Sequence, residues 1–142
     1  EEALEGFNLF AIENPASPWS GLAIYGAGQA LEGLGRHSEA VDRYRGLLAI
    51  AQGRAPRLQA LALYRLSFCH EALGQDDLVV ATLKDAETRL EHLPTEVREA
   101  EFPARLAGAY ARAGNFDAAV AYYAMVDRAI ARMRQASGAP AD

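Results

Sequence analysis

One cysteine, one tryptophan and one lysine stand among the 142 residues of the chain. The lone Cys69 excludes an internal disulfide framework and any multi-cysteine zinc or iron–sulfur site. Fourteen basic residues, Lys84 and thirteen arginines, face 19 acidic ones, for a net charge of −5. Non-specific binding of nucleic acid or an anionic membrane surface needs clustered positive charge, and this balance argues against both. No run approaches the roughly 18 uninterrupted apolar residues of a membrane-crossing helix, so no membrane insertion is expected. A phosphate-binding loop, a His-Glu-x-x-His pair, a serine elbow and a calcium loop are all missing.

The nearest approaches to chemistry have plainer explanations. Gly26-Ala-Gly28-Gln-Ala-Leu31 begins like a dinucleotide fingerprint, but Leu31 stands where the third glycine belongs and no strand precedes it. His37, His70 and His92 fall at a turn, a helix interior and a helix end, which do not converge on one metal. Cys69 and His70 are adjacent on a helix, so their side chains diverge by about 100° and cannot form a nucleophile–base dyad. Cys69 reads as a small buried hydrophobe, His70 as a satisfied interior residue, and Asp76-Asp77 as a turn and helix entry. The expectation is a non-enzyme without metal or cofactor.

Alanine and leucine are what the chain does have, thirty and seventeen of them. Both are strong helix formers, and glycine and proline mostly separate runs of helical length, so the fold class is all-α. A repeat organises those runs. Leu34-Gly35, Leu73-Gly74 and Ala113-Gly114 close them at spacings of 39 and 40 residues. Seven residues before each glycine stands a small residue: Gly28, Ser67, Ala107. Five residues after comes Ala40, Val79 or Ala119, and four further on Tyr44, Leu83 or Tyr123.

Each register has a physical reading. The glycine is free to take the left-handed conformation that ends a helix. Ser38, Asp77 and Asp117 then supply a short polar oxygen where the next helix enters. The small residues let two helices close on each other, and the large residue a turn later fills the remaining wedge. Each unit is therefore expected to be an antiparallel helical hairpin.

This succession of small residue, glycine turn, small residue and large residue resembles the tetratricopeptide repeat. The segment Gly28 to Tyr44 carries its diagnostic positions, as does Ala111 to Tyr123, while the middle unit, 60–89, is more degenerate. The resemblance implies about seven helices stacked as a right-handed α-solenoid, a single array over 1–135 with a flexible tail at 136–142. Within it, 19–52, 57–91 and 96–135 are complete repeats, and 1–15 is the second helix of a truncated one. Ala3 and Phe7 precede Ala40 and Tyr44 by the same 37 residues, which is the basis for that last assignment. The chain also opens without an initiator Met or a leader, and a start in mid-repeat reads as a fragment of a longer array. The arginine and alanine excess suits a GC-rich, bacterial coding sequence; cytoplasm and periplasm both stay open.

The helices are expected at 2–13, 19–34, 38–52, 57–73, 77–91, 96–113 and 116–135. Two connections, 52–56 and 91–95, are longer than usual, and Pro103 should kink the sixth helix or begin a new one. Arg128, Arg132 and Arg134 suit the negative end of the last helix dipole.

Tetratricopeptide arrays bind peptides or partner helices in the groove lined by the first helix of each hairpin. Carried onto this chain, the groove-facing positions are Leu22, Tyr25, Gln29 and Glu32, then Leu61, Tyr64, Phe68 and Glu71, then Glu101, Ala104, Gly108 and Arg112. Tyr25, Tyr64 and Phe68 would form an aromatic floor rimmed by Glu32, Glu71, Arg65, Arg105 and Arg112. The family's carboxylate clamp is not expected, because Tyr25, Gln29, Tyr64 and Phe68 occupy its places; an apolar or mixed peptide, or an amphipathic helix, fits better. The sequence thus predicts a protein-interaction module of a larger bacterial scaffold. The alternatives are the ligand- or peptide-sensing array of a bacterial regulator, and self-assembly through the uncovered first helix.

Overall fold

The structure is a computed structural model that describes residues 1–51 and 55–138; the expected long connection at 52–56 and the expected tail lie partly outside them. The described residues are helical and contain no strand. In chain order the helices are α1 Glu2–Glu13, α2 Ser20–Gly33, α3 His37–Ile50, α4 Pro56–Ala72, α5 Asp76–Glu87, α6 Phe102–Arg112 and α7 Phe116–Ser137. A 3-10 turn, Leu90–His92, and a π-helical segment, Val97–Glu101, join α5 to α6. Each helix packs on the one before it, and α2 also reaches α4.

The three glycine turns are one motif used three times. Gly35, Gly74 and Gly114 have φ of 74°, 70° and 87°. At each, the next residue's N–H donates back to the third-last helical carbonyl: Arg36 to Leu31 at 2.9 Å, Gln75 to His70 at 2.9 Å, Asn115 to Tyr110 at 2.8 Å. That is the Schellman closure, which a residue with a Cβ adopts only under strain.

It also corrects the expected helix entries. Arg36, Gln75 and Asn115 are the N-caps, so Ser38, Asp77 and Asp117 lie two residues past the cap, inside the first turn. Only the Asn115 side chain caps, accepting from the Ala118 N–H at 3.2 Å. Asp77 and Asp117 still sit in the positive first turn of their helices.

The small and the large position are both buried in two units and not in the third. Tyr44 is fully buried against Gly28, where a Cβ would stand 2.6 Å from the ring. In the second unit Leu83 and Ser67 are both buried. In the third, Ala107 is buried but Tyr123 is 47% exposed; its neighbour Tyr122 makes the inward contact of α7, packing on the second core cluster and donating to Glu87 on α5 at 2.7 Å. Two clusters form the interior, one around Leu31, Tyr44 and Leu66, the other around Leu83, Phe102 and Leu106.

Other boundaries shifted for local reasons. The fifth helix stops at Glu87 rather than at 91: the Thr88 hydroxyl and the Arg89 guanidinium both donate to the Asp85 carbonyl, and Leu93 is extended ahead of Pro94. Pro103 sits in the first turn of α6. The widened turn before it absorbs the missing proline N–H, with Phe102 donating five residues back to Val97. Ala136 and Ser137, expected in the tail, continue α7 to a left-handed Gly138. Only Arg134 lies in the last turn of α7, so the dipole explanation does not extend to Arg128 and Arg132.

Candidate functional site

The face carried by α2, α4 and α6 is cross-linked by its own charges. Glu32 at the end of α2 accepts both the Nε (3.1 Å) and Nη2 (3.0 Å) hydrogens of Arg65 on α4. The Tyr44 hydroxyl donates to the same carboxylate from α3. One unit later the pattern returns: Arg105 on α6 donates to Glu71 at 2.7 Å and to the Ser67 hydroxyl at 2.6 Å. Arg112 adds bonds to Asp76 at 2.9 Å and to Glu71 at 3.4 Å. Both carboxylates stand three residues before a turn glycine, and both arginines nine before the next one.

The expected aromatic floor is largely structural. Tyr64 is only 6% exposed and its hydroxyl donates to Glu101 at 2.6 Å, so it is not the exposed anchor that its register suggested. Phe68 meets Tyr64 edge-on at 5.2 Å and lies beneath two guanidiniums, Arg105 at 3.6 Å and Arg65 at 5.1 Å from its centroid. Tyr25 is half-buried, its ring 5.9 Å from that of Tyr44. Burial raises the pKa of Tyr25, Tyr44 and Tyr64, and the Glu32 and Glu101 carboxylates raise Tyr44 and Tyr64 further. Of the rim residues, Glu32 is nearly covered, with a side chain 10% exposed, whereas Glu71 and Arg112 stay open to solvent.

What stays open and apolar lies at the other end of the face. Leu22 and Leu61, both expected in the groove, line a cavity of about 530 Å³ between the starts of α2 and α4, together with Pro18, Pro56 and Leu58. Gln29 is exposed farther along α2. The prolines were missed in the sequence, yet they stand 17 and 18 residues before successive turn glycines, and a proline opening a helix is a readable signal.

Groups with latent reactivity are occupied elsewhere. Cys69 is fully buried and its thiol is pushed up to about 12, chiefly by burial, so it stays a protonated, weak nucleophile near neutrality. His70 is buried, with Nδ1 2.8 Å from the Gln75 side-chain oxygen. Among the described residues no three His, Cys, Asp or Glu side chains gather as a metal site, and no helix is long and apolar enough to cross a membrane. Comparison of the chain with protein-family models and with curated proteins finds no match.

Proposed function

We propose that this chain is a non-catalytic, tetratricopeptide-type interaction module whose α2/α4/α6 face takes an apolar peptide segment or the apolar side of a partner helix. The observation that carries the reading is the division of labour along that face. Its carboxylates and guanidiniums are bound largely to one another, while Leu22, Leu58 and Leu61 surround an open apolar cavity. A partner therefore meets apolar surface at one end and a self-neutralised ionic ladder at the other. Apolar anchoring within a polar surround is the common anatomy of a recognition surface.

Three further observations support the tetratricopeptide reading. The Schellman turns recur at 39 and 40 residues, the small positions Gly28, Ser67 and Ala107 are all buried, and each helix packs on its predecessor. A carboxylate clamp has no support here, because the arginines of the face already hold Glu32, Glu71 and Asp76.

Selection of peptides from a random display library on the immobilised chain tests the reading. Enrichment of sequences with Leu, Ile or aromatic anchors is expected, and it should vanish for Leu22→Asp/Leu61→Asp with helical circular dichroism unchanged. Enrichment that depends on a free C-terminal carboxylate, or that survives the double substitution, would overturn it.

A further inference from the structure

Charge is distributed unevenly along the chain, and the two ends of the helix succession carry opposite signs. Residues 1–13 contain Glu1, Glu2, Glu5 and Glu13 and no base, a charge of −4 out of a chain total of −5. Residues 125–137 contain Arg128, Arg132 and Arg134 against Asp127, a charge of +2. Each end also exposes apolar side chains in step with its charges.

On α1, Leu4 faces the core, and the opposite side carries Glu2, Glu5, Leu9 and Ile12 at spacings of 3, 4 and 3. Leu9 is 55% and Ile12 75% exposed, large values for branched aliphatic residues on a helix. On α7, Met125, Arg128 and Arg132 share a face at spacings of 3 and 4 and line a groove of about 360 Å³ floored by Leu90 and Pro103. Arg98, from the π-helical segment, is the third guanidinium there, against the single carboxylate of Glu99. One end thus presents acid and aliphatic side chains in a stripe, and the other presents guanidiniums beside apolar side chains in a groove.

We propose that two copies of this chain associate head to tail, the outer stripe of α1 seating in the arginine-lined groove beside α7 of the next copy. Glu2 and Glu5 meet Arg98, Arg128 and Arg132, while Leu9 and Ile12 cover Met125 and Leu90. The two surfaces differ, so the contact is heterologous: it leaves a free stripe at one end and a free groove at the other. Growth then continues with concentration or closes into a ring, rather than stopping at a two-fold dimer. The proposal is independent of the peptide-binding face, which lies on α2, α4 and α6.

Sedimentation velocity and light scattering on the full chain at micromolar concentrations provide the test. Association beyond the dimer is expected in about 0.1 M salt and should weaken in about 1 M, where the screening length falls from about 10 Å to about 3 Å. Glu2→Arg/Glu5→Arg and Arg128→Glu/Arg132→Glu change exposed positions only, and each alone should weaken association at least about tenfold. An equimolar mixture of the two variants should assemble again, because each then offers the end that the other needs. Leu9→Gln/Ile12→Gln, which leaves every charge in place, should weaken assembly as well. A wild-type chain that stays monomeric throughout, charge-reversed variants that associate like wild type, or a mixture that fails to recover would each overturn the proposal.

Discussion

Tyr44 occupies the space that a side chain at Gly28 would need. A Cβ built on Gly28 stands 2.6 Å from the Tyr44 ring, whose hydroxyl reaches the carboxylate of Glu32 on the same helix as Gly28. The pair joins α2 to α3 by volume, and Glu32 then joins both to Arg65 on α4. Gly28→Ala is expected to destabilise the fold by about 1–3 kcal/mol, the usual cost of overpacking. Tyr44→Leu, which removes the ring that the new Cβ meets, should recover part of that loss in the double mutant. Urea unfolding of the four-member cycle measures the coupling.

Glycines elsewhere should respond with opposite signs. Gly35→Ala, Gly74→Ala and Gly114→Ala each force a side chain into a left-handed conformation, and each should cost about 1–2 kcal/mol. Gly46, exposed in the middle of α3 with nothing within 4 Å of an added Cβ, should instead gain about 0.5–1 kcal/mol as Ala. Thermal melts of the four single variants separate the two classes.

The ionic ladder should prove unequal to its surface counterparts. Glu32→Ala leaves Tyr44 and the partly buried Arg65 without their shared acceptor and is expected to cost about 1–3 kcal/mol. Glu39→Ala, which removes an exposed partner of Arg36, should leave the urea midpoint unchanged. Equal midpoints for the two variants would mean that the ladder adds nothing beyond a surface ion pair.

Alkaline pH should unfold the chain through its tyrosines. Tyr25, Tyr44, Tyr64 and Tyr122 have raised folded-state pKa values, chiefly from burial, so the fold holds them neutral. Their stabilising contribution is complete below the unfolded value of about 10 and is lost as pH climbs above it. Tyrosinate absorbance of the buried tyrosines should rise together with loss of helical circular dichroism. Ionisation of all six tyrosines with helicity intact would contradict this.

Much of the fold was legible because its signals are local. A turn glycine states its own conformation, and three of them on one spacing place the helices. The turn chemistry fixed the helix entries less visibly. Arg36, Gln75 and Asn115 end one helix and begin the next, so the entry lies ahead of the Ser and Asp residues that look like caps. The site was harder to read. Register along α2 and α4 put Glu32 and Tyr64 on the groove side, but their partners, Arg65 and Glu101, lie 33 and 37 residues away on other helices. Spacing within one helix cannot show which charges face each other across two. The recurrence of Glu before one turn and Arg before the next was the available clue.

The most direct test of the functional reading is a calorimetric titration of a display-selected apolar peptide into three forms of the chain: wild type, Leu22→Asp/Leu61→Asp, and Val120→Asp at an exposed position of α7 away from the cavity. Binding lost at least about a hundredfold in the double variant and unchanged in Val120→Asp is the predicted result, since two central apolar anchors commonly carry about 2–4 kcal/mol or more. Equal affinity for all three, or loss confined to Val120→Asp, would contradict the account and remove the α2/α4/α6 face from it.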